Sequence, residues 1–189
     1  MAKDGGPIRV VGISGSLRAG SYNTAALKAA IALAPEGMTI ETAEIGDLPL
    51  YNDDVRVAGY PPQVQRFRDQ LAAADAVLFV TPEYNYSIPG VLKNAIDWAS
   101  RPPSQPFDNK PVAIMGASGG ILGTARAQYQ LRQMLVFLNA FPLNKPEVMI
   151  GAAQTKFDET GKLTDEQTKE FIRSLLDALA NWTARLRTR

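Results

Sequence analysis

The chain has 189 residues, 20 Lys+Arg against 19 Asp+Glu for a formal charge of +1, and neither cysteine nor histidine. Without thiols or imidazoles there is no disulfide, thiolate nucleophile, Cys/His zinc site or imidazole proton shuttle, and a Ser-His-Asp hydrolase is excluded by composition. Balanced charge offers no field for nucleic acid or an anionic membrane, and the length suits one domain over residues 1–189.

The opening "MAKDGGPIRV" carries no cleavable apolar segment, and no apolar run reaches the length of a membrane span, so the expectation is a cytoplasmic protein. A strand is predicted over 8–13 ("IRVVGI"), followed by "SGSLRAGSYN" and a helix over 23–34. This turn nearly fits three motifs. The nucleophile elbow G-x-S-x-G fails because Ser16 stands where the last glycine belongs. Gly12, Gly15 and Gly20 have the wrong spacing for G-x-G-x-x-G, and Gly15 to Gly20 lacks the Lys that completes a P-loop. What is left is a strand-to-helix turn rich in hydroxyls, with Asn23 and the forked cation of Arg18. Such a turn suits a single phosphate at a helix N-terminus, or a plain cap at Ser21 or Asn23.

Further along, a strand over 38–44 leads to the irregular connection "DLPLYNDDVRVAGYPP" (47–62), which could cap a site, meet another subunit or simply lie on the surface. A helix follows over 61–73, a strand over 76–81, the loop "PEYNYSIPG" and a helix over 89–100. The pattern then repeats with a strand over 111–117, the loop "SGGILG" and a helix over 123–139, whose Leu131, Met134, Leu135 and Leu138 recur at helical spacing. A fifth strand over 146–150 and a helix over 164–186, opened by a capping box from Thr164 to Gln167, complete the chain. Strands alternating with amphipathic helices predict an α/β parallel sheet covered on both faces. Glu41/Glu44 and Asp53/Asp54 fall in strand and surface-loop contexts and do not read as a glycosidase pair.

In open parallel sheets, ligands bind beyond the carboxyl ends of the strands, where strand order reverses. The loops after the first, third and fourth strands all belong to that edge, and together they describe a preformed pocket. In the middle loop, Glu83, Tyr84, Asn85 and Tyr86 join flat rings to backbone amides, a mixture suited to a planar heterocycle or to plain packing against the domain.

"GSLRAGSYN", "TPEYNYSIPGVLKNAIDWAS" and "SGGILGTARAQYQLRQ" together resemble the NADPH-dependent FMN reductase family of flavodoxin-like proteins, in particular its quinone and chromate reductase branch. The resemblance implies a flavodoxin-like three-layer sandwich with a five-stranded sheet in the order 2-1-3-4-5, bound FMN, and NADPH or NADH as electron donor. It also implies that Ser16, Arg18, Ser21 and Asn23 hold the phosphate, that Pro82, Glu83, Tyr84 and Asn85 line the isoalloxazine, and that Ser118 and Gly119 complete the wall. A homodimer or homotetramer is implied too, with Arg126, Tyr129 and Glu147 as candidate contacts, while Trp98 and Phe137 read as core or interface packing. The expected activity is a ping-pong, two-electron reduction of quinones and of acceptors such as chromate. An electron carrier of flavodoxin type is disfavoured by the near-neutral charge, and a non-enzymatic flavin- or nucleotide-binding module is the other alternative.

Overall fold

The computed structural model describes residues 6–187. The sheet is built from β1 (Ile8–Ser14), β2 (Met38–Thr42), β3 (Ala76–Val80), β4 (Pro111–Ala117), β5 (Phe141–Pro142) and β6 (Val148–Ile150), every pairing parallel. Its order is β2-β1-β3-β4-β5, with β6 also on β4, which is the order the flavodoxin-like resemblance implies. The fifth position of the sheet is therefore filled by two short pieces, of which only β6 falls within the predicted 146–150. Phe141 and Pro142 lie beside Pro111 and Val112, and Val148 to Ile150 lie beside Met115 to Ala117. Pro142 and Pro146 bracket the gap, and proline has no N–H to give to a ladder.

The strands read as near-continuous apolar runs because both faces are covered. Alternate residues serve opposite layers. Val11, Ile13, Val77, Phe79, Val112 and Ile114 pack with α3 (Pro62–Ala73), α4 (Gly90–Ala99) and α5 (Ala125–Phe137). Val10, Leu78, Val80, Ala113 and Met115 pack with α1 (Tyr22–Ala32) and α6 (Glu166–Arg187).

Three local expectations are corrected. The 47–62 connection contains a short helix, α2 (Asp53–Ala58), that buries none of its residues. It is anchored from behind: the Asn94 amide donates to Pro49 O and accepts from Tyr51 N–H, and the fully buried Trp98 donates its indole N–H to Pro49 O at 2.7 Å. The start of α6 is capped by Asp165 rather than by Thr164, whose hydroxyl donates to Lys156 O. Hydrogen bonds from the Thr168 hydroxyl and the Lys156 ammonium hold the Asp165 carboxyl down at about 2. Phe137, finally, is not core: it is 84% exposed at the end of α5.

Candidate functional site

The strands end level. Ser14 pairs with Val80, Val80 with Met115, and Ala117 with Ile150, so the loops leave the sheet side by side. Strand order reverses between β1 and β3, and the first and middle loops flank that point. The ladder runs on into the loops, with Gly15 N–H donating to Val80 O at 2.9 Å and Thr81 N–H to Met115 O at 3.0 Å. Such closeness needs glycine at Gly116, where a Cβ would stand 2.1 Å from the Thr81 carbonyl oxygen.

The first loop is open to anions. Ser21 caps α1, its hydroxyl oxygen accepting from Asn23 N–H at 3.2 Å and Thr24 N–H at 3.3 Å. Ahead of the cap, the N–H groups of Leu17, Ala19 and Gly20 have no acceptor among the described residues, and all three residues are exposed. These donors precede the positive end of an eleven-residue helix. Arg18 is exposed beside them, its guanidinium carbon 5.8 Å from the Tyr22 ring centroid. Ser16 is half-buried, and Ser14 shares a hydrogen bond of 2.9 Å with Thr24.

Asn23 points the other way. It is buried, its amide nitrogen donating to Ala117 O at 2.9 Å and its amide oxygen accepting from Ala117 N–H at 2.8 Å. Both ends of the amide are thus engaged by the last residue of β4, and the side chain ties the first loop to the root of the fourth.

The middle loop is a miniature hairpin. Tyr84 and Ser87 exchange backbone hydrogen bonds of 2.9 Å in each direction around Asn85 and Tyr86, whose φ angles are +52° and +64°. Two left-handed residues in succession make the turn type that joins twisted strands tightly. Asparagine tolerates that conformation, but for a tyrosine it is strained. The strain is held by a brace. Glu83 accepts from Arg126 Nε at 2.7 Å and from the N–H groups of Arg126 and Ala127 at 3.0 and 3.1 Å. It thereby caps α5, whose own N-cap residue Thr124 makes no side-chain cap. Arg126 in turn lies 3.8 Å over the Tyr86 ring centroid, and Ser87 donates its hydroxyl to Gln130 at 2.6 Å.

The fourth loop closes on itself, the Ser118 hydroxyl donating to Gly123 O at 2.6 Å and Ala153 N–H donating to Ser118 O at 3.0 Å. Gly119 stays exposed, with an unpartnered N–H.

The ten sequence candidates therefore divide. Arg18, Tyr84, Asn85 and Gly119 are exposed around the edge, and Ser16 is half-buried beside them. Ser21, Asn23, Glu83 and Ser118 spend their side chains on the scaffold, and Pro82 is buried. Sequence reasoning missed the role of Arg126, which meets Glu83 and the Tyr86 ring only through the fold. Arg126 is engaged in that brace, and Tyr129 donates to Glu147 of its own chain at 3.2 Å.

The model of the NADPH-dependent FMN reductase family matches residues 8–155. An NAD(P)H-dependent FMN reductase of Pseudomonas aeruginosa is 65% identical, over 95% of this chain and 97% of its own. An NADPH:quinone oxidoreductase of Arabidopsis thaliana is 49% identical (95% and 93%), and a quinone reductase of Escherichia coli K12 is 45% identical (95% and 97%). Among solved structures, the flavoenzyme NAD(P)H:(acceptor) oxidoreductase FerB of Paracoccus denitrificans superposes with a TM-score of 0.86 at 39% identity, covering 94% of this chain and 98% of that one.

Proposed function

The chain belongs to the NADPH-dependent FMN reductase family, and from that premise we propose that it is an FMN-dependent NAD(P)H oxidoreductase that reduces quinones. The observation that carries this reading is the convergence of three loops, with unpartnered N–H donors and Arg18, at the switch point of the sheet. The residues present fit FMN. Leu17, Ala19 and Gly20 offer N–H groups, Ser16 a hydroxyl and Arg18 a fork for a phosphate dianion, while the exposed Tyr84–Tyr86 turn and Gly119 offer flat surface and N–H donors to a ring edged with acceptors.

When bound, FMN supplies two-electron redox chemistry between NAD(P)H and a quinone. The protein's part is placement. Arg18 and the first loop would hold the phosphate end, the braced middle loop would present Tyr84 and Asn85 to the ring at a set height, and the Gly119 N–H would donate to an acceptor on the ring's edge. With no histidine or cysteine, no side chain here is asked to be a nucleophile. Donor and acceptor would use one open face in turn, which is a ping-pong scheme, and chromate and other xenobiotic acceptors could be reduced at the same face.

The proposal extends to assembly and place of work. Val136 and Phe137, neighbours at the end of α5, are 75 and 84% exposed, apolar side chains that a homodimer or homotetramer would cover. Among the described residues no helix is long and apolar enough to cross a membrane, and the supply of NAD(P)H favours the cytoplasm. Residues 1–189 would then act as one FMN-binding domain.

Purified protein should carry flavin identifiable as FMN and should oxidise NAD(P)H with benzoquinone and no partner protein. Rapid mixing of the reduced protein with benzoquinone should give hydroquinone without a paramagnetic quinone signal. Turnover only through a partner protein, or stoichiometric quinone radical, would replace the enzyme reading with that of an electron carrier.

A further inference from the structure

On the flank of α1, between that helix and the turn at 160–163, lies a cavity of about 350 Å³; through Ala25, Lys28, Thr160 and Gly161 it adjoins a second cavity that reaches Ala19 and Gly20 of the first loop. Its size is at the lower end of the range for small-ligand sites, about 300–1,000 Å³. Ala29, Leu33 and Leu163 give it an apolar lining, and Lys28, Lys162 and Lys169 surround it. No carboxylate lines it. Lys169 is paired with Glu166 at 2.6 Å and Lys162 is close enough to the Asp158 carboxylate to help hold its pKa down, while Lys28 forms no salt bridge among the described residues.

The wall is built, not draped. Phe157 and Leu163 form a bridge, and the Asp158 carboxylate accepts from Thr160 N–H at 2.9 Å and from Lys162 N–H at 3.0 Å. Gly161 turns at φ +80°, and a Cβ there would stand 3.8 Å from that of Ala25 on α1. The turn is thus fixed against the helix with the cavity beside it, and Tyr22 backs Phe157 at 5.5 Å between ring centroids.

From this combination we infer a second binding site, for an amphipathic anion: a carboxylate on a medium-length alkyl chain, its tail among Ala29, Leu33 and Leu163 and its head among Lys28, Lys162 and Lys169. An apolar lining gives nothing to a polyphosphate or a sugar, and the ring of ammonium groups disfavours cations. A free fatty acid offers a carboxylate at the end of such a tail and an anionic phospholipid a phosphodiester beside its acyl chains, and both are amphipathic anions.

The test is calorimetric titration of the holoprotein with decanoate. Saturable one-to-one binding is expected, weakening by up to about fourfold for each methylene removed through octanoate to hexanoate. Decanol, with the same tail and no charge, should bind at least several-fold more weakly. Lys28→Glu combined with Lys162→Glu should weaken decanoate by about tenfold, modest because the lysines are solvated. Ala29→Phe, which fills the cavity and leaves the charges, should abolish binding, while FMN content and circular dichroism stay unchanged. Vesicles of phosphatidylglycerol separate the two sources: co-sedimentation that the double lysine variant loses assigns the site to lipid, and its absence assigns it to free acid. Non-saturable heat, equal affinity for decanol, or decanoate binding untouched by Ala29→Phe would overturn the site.

Discussion

The first and middle loops stand side by side at one sheet edge, yet they are built on opposite plans. The first leaves its donors free: Leu17, Ala19 and Gly20 keep unpartnered N–H groups, and Arg18 extends into solvent. The middle loop closes its hairpin on itself, spends Glu83 on the start of α5 and holds a strained Tyr86 beneath Arg126. A phosphate is recognised by charge and by many N–H vectors, so open backbone at a helix N-terminus is enough. A planar ring is recognised by the height and angle of a surface, and that demands rigidity before the ligand arrives. The contrast makes stability and affinity separable. Changes in the braces should be felt in folding, and changes in the open loop only in binding.

The largest loss of stability is expected from Glu83→Ala. It removes the acceptor of Arg126 and of two backbone N–H groups at the start of α5, a change worth about 2–4 kcal/mol given that Arg126 is partly solvated. Urea unfolding measures it, and a loss under 1 kcal/mol would mean that the brace is ornamental. Asn23→Ala comes next, at about 2 kcal/mol, since it leaves both polar groups of Ala117 unpaired in a buried place. Its signature in binding should be even-handed. Because both ends of the Asn23 amide are taken by Ala117 at the root of the fourth loop, FMN and riboflavin should weaken by the same factor.

The turn itself can be tested through its strain. Tyr86→Gly relieves the left-handed backbone and Tyr86→Ala does not, though both lose the contact with Arg126. The glycine variant should therefore be the more stable of the two by about 1–2 kcal/mol. Equal stabilities would show that the turn has relaxed to another form.

How far these plans were legible in the sequence follows from the range of the interactions. The strands of β1, β3 and β4 and the helices between them announce themselves by local pattern, and so does the turn after β1, because hydroxyls, glycine and arginine speak for themselves in order. The brace does not. Glu83 and Arg126 are 43 residues apart and Asn23 and Ala117 are 94, so nothing in either neighbourhood shows that a polar side chain turns inward. The motif positions of Glu83 and Asn23 imply ligand groups, while distant partners set the orientations of their side chains. Thr164 has the right spacing for the cap of α6, but its hydroxyl is claimed by Lys156, eight residues back, and Asp165 takes the role. The break between β5 and β6 and the helix within 47–62 escaped because two- and six-residue elements carry too little periodicity to be seen.

The smallest effect on folding, and the most direct test of the contrast, is Arg18→Ala. Its side chain is solvated, so unfolding free energy should change by no more than about 0.5 kcal/mol. Affinities for FMN and riboflavin should be measured by fluorescence quenching on apoprotein of the wild type and of Arg18→Ala. The account predicts that FMN weakens about 10- to 150-fold, the loss of a charge-assisted hydrogen bond, while riboflavin hardly changes. Equal weakening of both ligands, or of neither, would contradict it and move the phosphate away from the first loop.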